Sequence, residues 1–193
     1  MSEHSNGCHA QVLVRDGRRT MMAAAFLLIL ALAALLPMRA WAGFTFAGID
    51  GGQIDLDDYR GKPVLVVNTA SLCGFAGQYD DLQTLYDTYG SRGLFVLAVP
   101  SDDFAQELAN EAAVKEYCAV NFDLTLPMTA ITPVTGGAAH PFYAMLRDTY
   151  GFEPAWNFNK VLLGPDGQMV ENWGAGTNPT SRQMTRAIEA LLN

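Results

Sequence analysis

The sequence predicts an α/β fold with a central mixed sheet, and three observations carry that prediction. Two apolar runs, residues 64–67 and 94–99, read as strands buried on both faces. Between them Tyr79, Leu82, Leu85, Tyr86 and Tyr89 recur at helical spacing over residues 78–90. Further on, Gly164-Pro165-Asp166-Gly167 separates two strand-like runs, 158–163 and 168–172, as a hairpin turn does.

Taken in chain order, residues 44–46 and 54–56 flank Gly48-Ile49-Asp50-Gly51-Gly52 and form a peripheral hairpin. Strand, helix and strand over 64–99 then make a right-handed parallel unit. A second helix covers 110–120, with Val114, Tyr117 and Cys118 on one side. Residues 127–131 are a short extended segment. His140-Pro141 opens a helix to residue 150, because proline suits a first helical turn. Residues 180–192 close the chain as a helix with Met184, Ala187, Ile188 and Leu191 inward. A parallel unit, a helix, an antiparallel hairpin and a final helix describe a thioredoxin-like fold, its mixed sheet flanked by helices and preceded by an N-terminal β-hairpin.

Residues 21–36 are unbroken in their apolarity, with Arg15, Arg18 and Arg19 ahead and Ala40-Trp41-Ala42 behind. Basic flank, apolar core and small-x-small site read as an export signal over residues 1–42, cut after Ala42. It would deliver a single domain, residues 43–193, to the periplasm or beyond. The rival reading is an uncleaved membrane anchor, but the run falls short of the roughly 20 residues a spanning helix uses. Removing residues 1–42 leaves 8 basic and 18 acidic side chains. That surface repels phosphate backbones and argues against a nucleic-acid partner. Cys8 departs with the signal, and the remaining Cys73 and Cys118 are too few for a disulfide scaffold. His140 is then the only histidine, so a dedicated metal site or a Cys-His hydrolytic pair is poorly supported, and no cofactor is expected.

The chemistry concentrates at Asn68-Thr69-Ala70-Ser71-Leu72-Cys73-Gly74, where an apolar strand ends and one cysteine stands at the expected start of a helix. Unpaired N–H groups of a first helical turn favour a thiolate, and can lower a cysteine from its usual value of about 8.5. The alternative is a buried structural cysteine. In open sheets of this kind, residues just past the ends of parallel strands build the site, so the Cys73 loop and the loop after Val99 are expected to meet.

Val67-Asn68-Thr69-Ala70-Ser71-Leu72-Cys73-Gly74 resembles the V-N-x-A-S-x-C-G segment of the glutathione peroxidase family in its cysteine form. Val99-Pro100-Ser101-Asp102-Asp103-Phe104-Ala105-Gln106-Glu107 resembles that family's proline-led loop ending in Gln-Glu. Leu126-Pro127-Met128, His140-Pro141-Phe142-Tyr143 and Trp156-Asn157-Phe158-Asn159-Lys160 match in the family's order, so the resemblance spans residues 44–193. It implies reduction of hydrogen peroxide and organic hydroperoxides by Cys73, with Gln106, Trp156 and Asn157 as hydrogen-bond donors around the sulfur. It also implies a sulfenic acid at Cys73, regenerated by a thioredoxin-like protein or glutathione.

Thioredoxin-dependent relatives carry a resolving cysteine on the helix after the Gln-Glu loop. Cys118 falls in that region, displaced by one residue and set among apolar neighbours, so a resolving thiol and a buried cysteine both stay open. A resolving role implies a Cys73–Cys118 disulfide in the cycle and local unwinding of the 110–120 helix. The short stretch 147–155, where oligomeric relatives carry an insertion, implies a monomer with an open site. The acidic chain lacks evident basic residues for a glutathione pocket, which favours a thioredoxin-like reductant. Two other readings share the fold. A thiol-disulfide oxidoreductase needs a C-x-x-C pair, whereas Cys73 is followed by Gly-Phe-Ala. A non-enzymatic redox sensor would show a thiol near 8.5 and slow peroxide oxidation.

Overall fold

The chain opens with β1 (Thr45–Ala47) and β2 (Gln53–Asp55), paired antiparallel with Phe46 opposite Ile54. β3 (Val64–Thr69) follows, then α1 (Gln78–Tyr89) and β4 (Phe95–Pro100). After α2 (Glu111–Phe122) and α3 (Pro141–Tyr150) come β5 (Lys160–Leu163), β6 (Met169–Trp173) and α4 (Arg182–Glu189). This computed structural model describes Met1 and residues 43–192, so the export-signal reading lies outside the described residues. Among the described residues no helix is long and apolar enough to cross a membrane.

The main sheet has the order β4-β3-β5-β6; β3 and β4 are parallel, and the other two pairings are antiparallel. β3 is central and fully buried, as its unbroken apolar run predicts. Successive side chains point to opposite faces, and each face has its own core. Leu65, Val67, Val96, Ala98 and Leu162 pack with Tyr79, Leu82 and Leu85 of α1, Val114 and Cys118 of α2, and Met184 and Ile188 of α4. Val64, Val66, Leu97, Val99, Val161 and Leu163 pack with Phe142 and Leu146 of α3 and with Phe44 and Phe46 at the hairpin. The mixed sheet, flanking helices and N-terminal hairpin stand as the sequence predicts.

Local signals explain the helix ends. Asn110 caps α2 through its side chain, which accepts Ala113 N–H at 3.0 Å. His140 caps α3, its Nδ1 accepting Phe142 N–H at 3.3 Å ahead of Pro141. Three expectations change. Residues 127–131 form no named strand: Met128 and Thr129 make single bridges to Ala98 and Gly48, since Pro127 has no N–H to extend a ladder. Residues 158 and 159 stay outside β5, because Phe158 adopts φ +59°, which no strand accommodates. The closing helix is shorter than 180–192, starting at Arg182 after a turn in which Thr180 N–H donates to Asn178 Oδ1 at 2.8 Å.

Candidate active site

Topology brings three segments to one end of the sheet. Parallel β3 and β4 end side by side, with Thr69 opposite Pro100. Their onward loops therefore begin together, and Ser101 N–H bonds Thr69 O at 2.9 Å. β5 runs antiparallel to β3, with Lys160 opposite Val67, so residues 156–159 arrive at the same end. Cys73, Gln106, Trp156 and Asn157 lie on these three segments.

Cys73 sits five residues before α1, in consecutive turns closed by Ala76 N–H to Cys73 O at 2.9 Å and Gln78 N–H to Phe75 O at 2.9 Å. The expected helix N-terminus is therefore displaced from the sulfur. Gly74-Phe75-Ala76-Gly77 takes up tight turns in place of the first helical turn, and Gly77, with φ −57° and ψ −16°, leads into α1. What the sulfur receives is the Phe75 N–H at 3.5 Å, two residues on. Cys73 is 5 % exposed and packs with Ala70, Ala76 and Tyr79, while Leu72 and Phe75 on either side are open to solvent.

The Cys73 loop and the Gln106 loop are fastened directly. Leu72 N–H donates to Gln106 O at 2.9 Å, and Ser71 N–H donates to Glu107 Oε1 at 2.9 Å. The same Glu107 oxygen accepts Leu108 N–H at 2.8 Å. Burial pushes the Glu107 carboxyl up, the Ser71 and Leu108 contacts pull it partly back, and Asp102 raises it further. The side chains of Gln106 and Asn157 meet, Asn157 Nδ2 donating to Gln106 Oε1 at 3.0 Å. That bond orients the Gln106 amide so that its N–H₂ remains available to another acceptor. Asn157 is fully buried, and its Oδ1 has no hydrogen-bond partner. Trp156 is 40 % exposed, with its ring 5.3 Å from that of Phe104. Among the described residues three non-glycine residues have positive φ, and two of them adjoin this amide pair: Ala105 precedes Gln106 and Phe158 follows Asn157. Strain of this kind persists only where surroundings over-determine it, and it collects at functional sites.

Cys118 lies apart, 2 % exposed in the middle of α2 within the same apolar layer as Cys73. Burial pushes its thiol up to about 11; the neighbouring Tyr79 hydroxyl pulls it partly back, and Glu107 raises it again. Cys73 and Cys118 are both free thiols. Among the described residues no cluster of His, Cys, Asp or Glu is placed to hold a metal ion.

The glutathione peroxidase family model matches residues 42–147, from ahead of β1 into α3 and across both the Cys73 and Gln106 loops. The chain belongs to the glutathione peroxidase family. It is a peroxidase, an oxidoreductase acting on peroxides. The glutathione peroxidase of Lactococcus lactis subsp. cremoris is 37 % identical over 154 residues, covering 77 % of this chain and 97 % of that protein. The hydroperoxy fatty acid reductase gpx1 of Synechocystis is 35 % identical over 161 residues, covering 78 % and 94 %. Among solved structures, apo Trgpx superposes with a TM-score of 0.62 at 29 % identity, covering 79 % of this chain and 95 % of its own. A thiol:disulfide interchange protein DsbE of Chlorobium tepidum superposes at 0.59 with 19 % identity, covering 80 % and 96 %, which shows the shared thioredoxin-like fold alone.

Two residues of this family member's site had no role in the sequence reading. Asn68 and Glu107 were visible only as letters within matched segments. A clue was available for Asn68: a polar residue ending an apolar run that the structure buries entirely has to find partners.

Proposed function

We propose that this glutathione peroxidase family member is an exported, monomeric thiol peroxidase that reduces hydrogen peroxide and organic hydroperoxides through a sulfenic acid at Cys73. The observation that carries the reading is the paired amides of Gln106 and Asn157 on loops bonded to the residues just before Cys73. In the reaction the Cys73 thiolate attacks one peroxide oxygen and the O–O bond breaks. Sulfur is oxidised to sulfenic acid, and the other oxygen leaves as hydroxide or alkoxide and takes up a proton. The Gln106 N–H₂ and the Trp156 indole N–H are suited to stabilise charge on sulfur and oxygen as it develops. The buried Asn157 holds the Gln106 amide in that orientation through its Nδ2. None of these groups titrates near neutrality. Leu72, Phe75 and Trp156 are exposed apolar side chains on the segments that carry Cys73 and Asn157, which supports access for bulky hydroperoxides and for a protein reductant.

Regeneration runs through Cys118 or directly through the reductant. α2 fully buries two residues, Val114 and Cys118, against four in α1, with Tyr117 and Phe122 packed partly against the core, so less packing opposes its local unwinding. Once exposed, the Cys118 thiol attacks the sulfenic sulfur, an S–S bond forms and water leaves; a thioredoxin-like dithiol then returns both thiols. In the folded helix the raised Cys118 thiol is a poor nucleophile, so resolution follows unwinding.

Single-turnover oxidation by hydrogen peroxide and by a lipid hydroperoxide, with mass detection and peptide mapping, tests the scheme. The expected product is oxidised at Cys73, then bridged to Cys118 within one monomer. Oxidation elsewhere, or a Cys118 that stays fully alkylatable, removes the corresponding step. Turnover with thioredoxin against glutathione identifies the reductant class, and equal rates overturn the preference for a dithiol protein. The N-terminal mass of the protein recovered from cell fractions tests export and cleavage after Ala42.

A further inference from the structure

Asn68 is 1 % exposed in the central strand, and all four of its polar groups are spent on one neighbouring segment. Its N–H donates to Asn159 O at 3.3 Å, and its carbonyl accepts Phe158 N–H at 2.6 Å. Its side chain adds two bonds: Oδ1 accepts Asn159 N–H at 3.0 Å, and Nδ2 donates to Trp156 O at 2.9 Å. The amide orientation is settled by these partners, since an N–H must face the oxygen and a carbonyl must face the nitrogen. The bonds bracket Phe158, whose left-handed φ of +59° is unfavourable for a bulky residue. Trp156 and Asn157 lie immediately before it. An apolar residue at position 68 would satisfy a buried strand without the cost of burying an amide. The amide instead serves the turn.

We propose that Asn68 is a positioning residue for peroxide reduction: its carboxamide clamps the strained turn that presents Trp156 and Asn157 to Cys73. It touches no reacting atom and acts through Asn157. The inference rests on the reading of Trp156 and Asn157 given under Proposed function.

The test compares wild type, Asn68→Ala, Asn68→Asp, Asn157→Ala and the Asn68→Ala/Asn157→Ala double variant. Two rates are read on each protein: oxidation of Cys73 by hydrogen peroxide in a single turnover, and alkylation of Cys73 by iodoacetamide, corrected for thiolate fraction. Alkylation needs a thiolate but no positioned peroxide. Asn68→Ala, Asn68→Asp and Asn157→Ala are each expected to slow oxidation at least tenfold, with alkylation per thiolate within twofold of wild type. The double variant is expected to be no slower than the slower single, because two residues acting as one unit are not additive. Asn68→Asp has the same size and keeps the acceptor, and its carboxylate replaces the donor to Trp156 O with a negative charge facing that carbonyl, so it carries the comparison where Asn68→Ala does not fold. Wild-type oxidation in both Asn68 variants, with Asn157→Ala slow, overturns the proposal. So do multiplicative effects in the double variant, or alkylation falling in step with oxidation. Wild-type oxidation in Asn157→Ala overturns the underlying reading of the site instead.

Discussion

His140 latches the N-terminal hairpin to α3, and its removal has a size and a pH signature that follow from its contacts. Nε2 bonds Thr45 O at 3.1 Å, and Nδ1 accepts Phe142 N–H at 3.3 Å. The ring stacks on Phe46, with centroids 3.9 Å apart. With Nδ1 accepting, the neutral ring carries its proton on Nε2, where it donates to Thr45 O. Two hydrogen bonds at about 1 kcal/mol each and a ring stack of about 0.5–1.5 kcal/mol give a loss of about 2.5–3.5 kcal/mol for His140→Ala at pH 7.5. In a domain of this size that lowers Tm by roughly 5–14 °C. Burial holds the imidazole below its ordinary value of about 6.5, the Thr45 contact pulling it partly back. Below about 6.5 the unfolded chain therefore binds more protons than the folded one, and stability falls as pH drops toward the folded value. A second ring proton would land on Nδ1, against the Phe142 N–H. The assay is urea denaturation of wild type and His140→Ala at pH 7.5, 6.5 and 5.5. Carboxylates titrate alike in both proteins, so the difference isolates His140. The gap is expected to be widest at pH 7.5 and to narrow toward pH 5.5. A gap that is constant, or that widens on acidification, refutes the latch.

Three further outcomes are expected. Glu107→Ala leaves the Ser71 and Leu108 N–H groups without their acceptor, and at about 1–3 kcal/mol per unmade bond the unfolding free energy drops by about 2–6 kcal/mol in urea. Tyr79→Phe removes a fully buried hydroxyl that neighbours Cys118 and Thr69 but makes no hydrogen bond of normal geometry, so thermal unfolding is expected to move by no more than about 1 kcal/mol equivalent, and a larger loss contradicts this. Lys160, whose ammonium donates to Thr177 O at 2.7 Å and to Gln78 Oε1, is lowered to about 8 by burial, with Asp81 pulling it partly back. Between about 8 and the unfolded value of about 10.4 the folded chain holds fewer protons, so wild type gains stability over Lys160→Met as pH rises from 8 to 10, and a flat difference refutes the assignment.

The fold was legible because burial on both faces leaves a plain mark: 64–67 and 94–99 are apolar without alternation, and α1 shows its inward residues at helical spacing. Boundaries that depended on one backbone angle were not legible. Nothing in the letters of Phe158 announces φ +59°, which ends β5 at Lys160 and shapes the site. The start of α1 was equally illegible, as the turns closed by Ala76 N–H to Cys73 O and Gln78 N–H to Phe75 O leave no mark in the local sequence that separates them from a first helical turn.

By itself the sequence determined the mixed α/β sheet, the family, and the identities of Cys73, Gln106, Trp156 and Asn157 as candidates, because each rests on residue type and order along the chain. Tertiary structure decided which groups meet: the Gln106–Asn157 amide pair, the Glu107 tie to Ser71 and the Asn68 clamp join residues 36 to 91 positions apart. It also buried Cys118 and put a main-chain N–H, two residues past Cys73, on the sulfur in place of a helix end. Hydrogen bonds reach about 3 Å and have direction, so their pairing is settled only when strands fix the register of segments far apart in sequence.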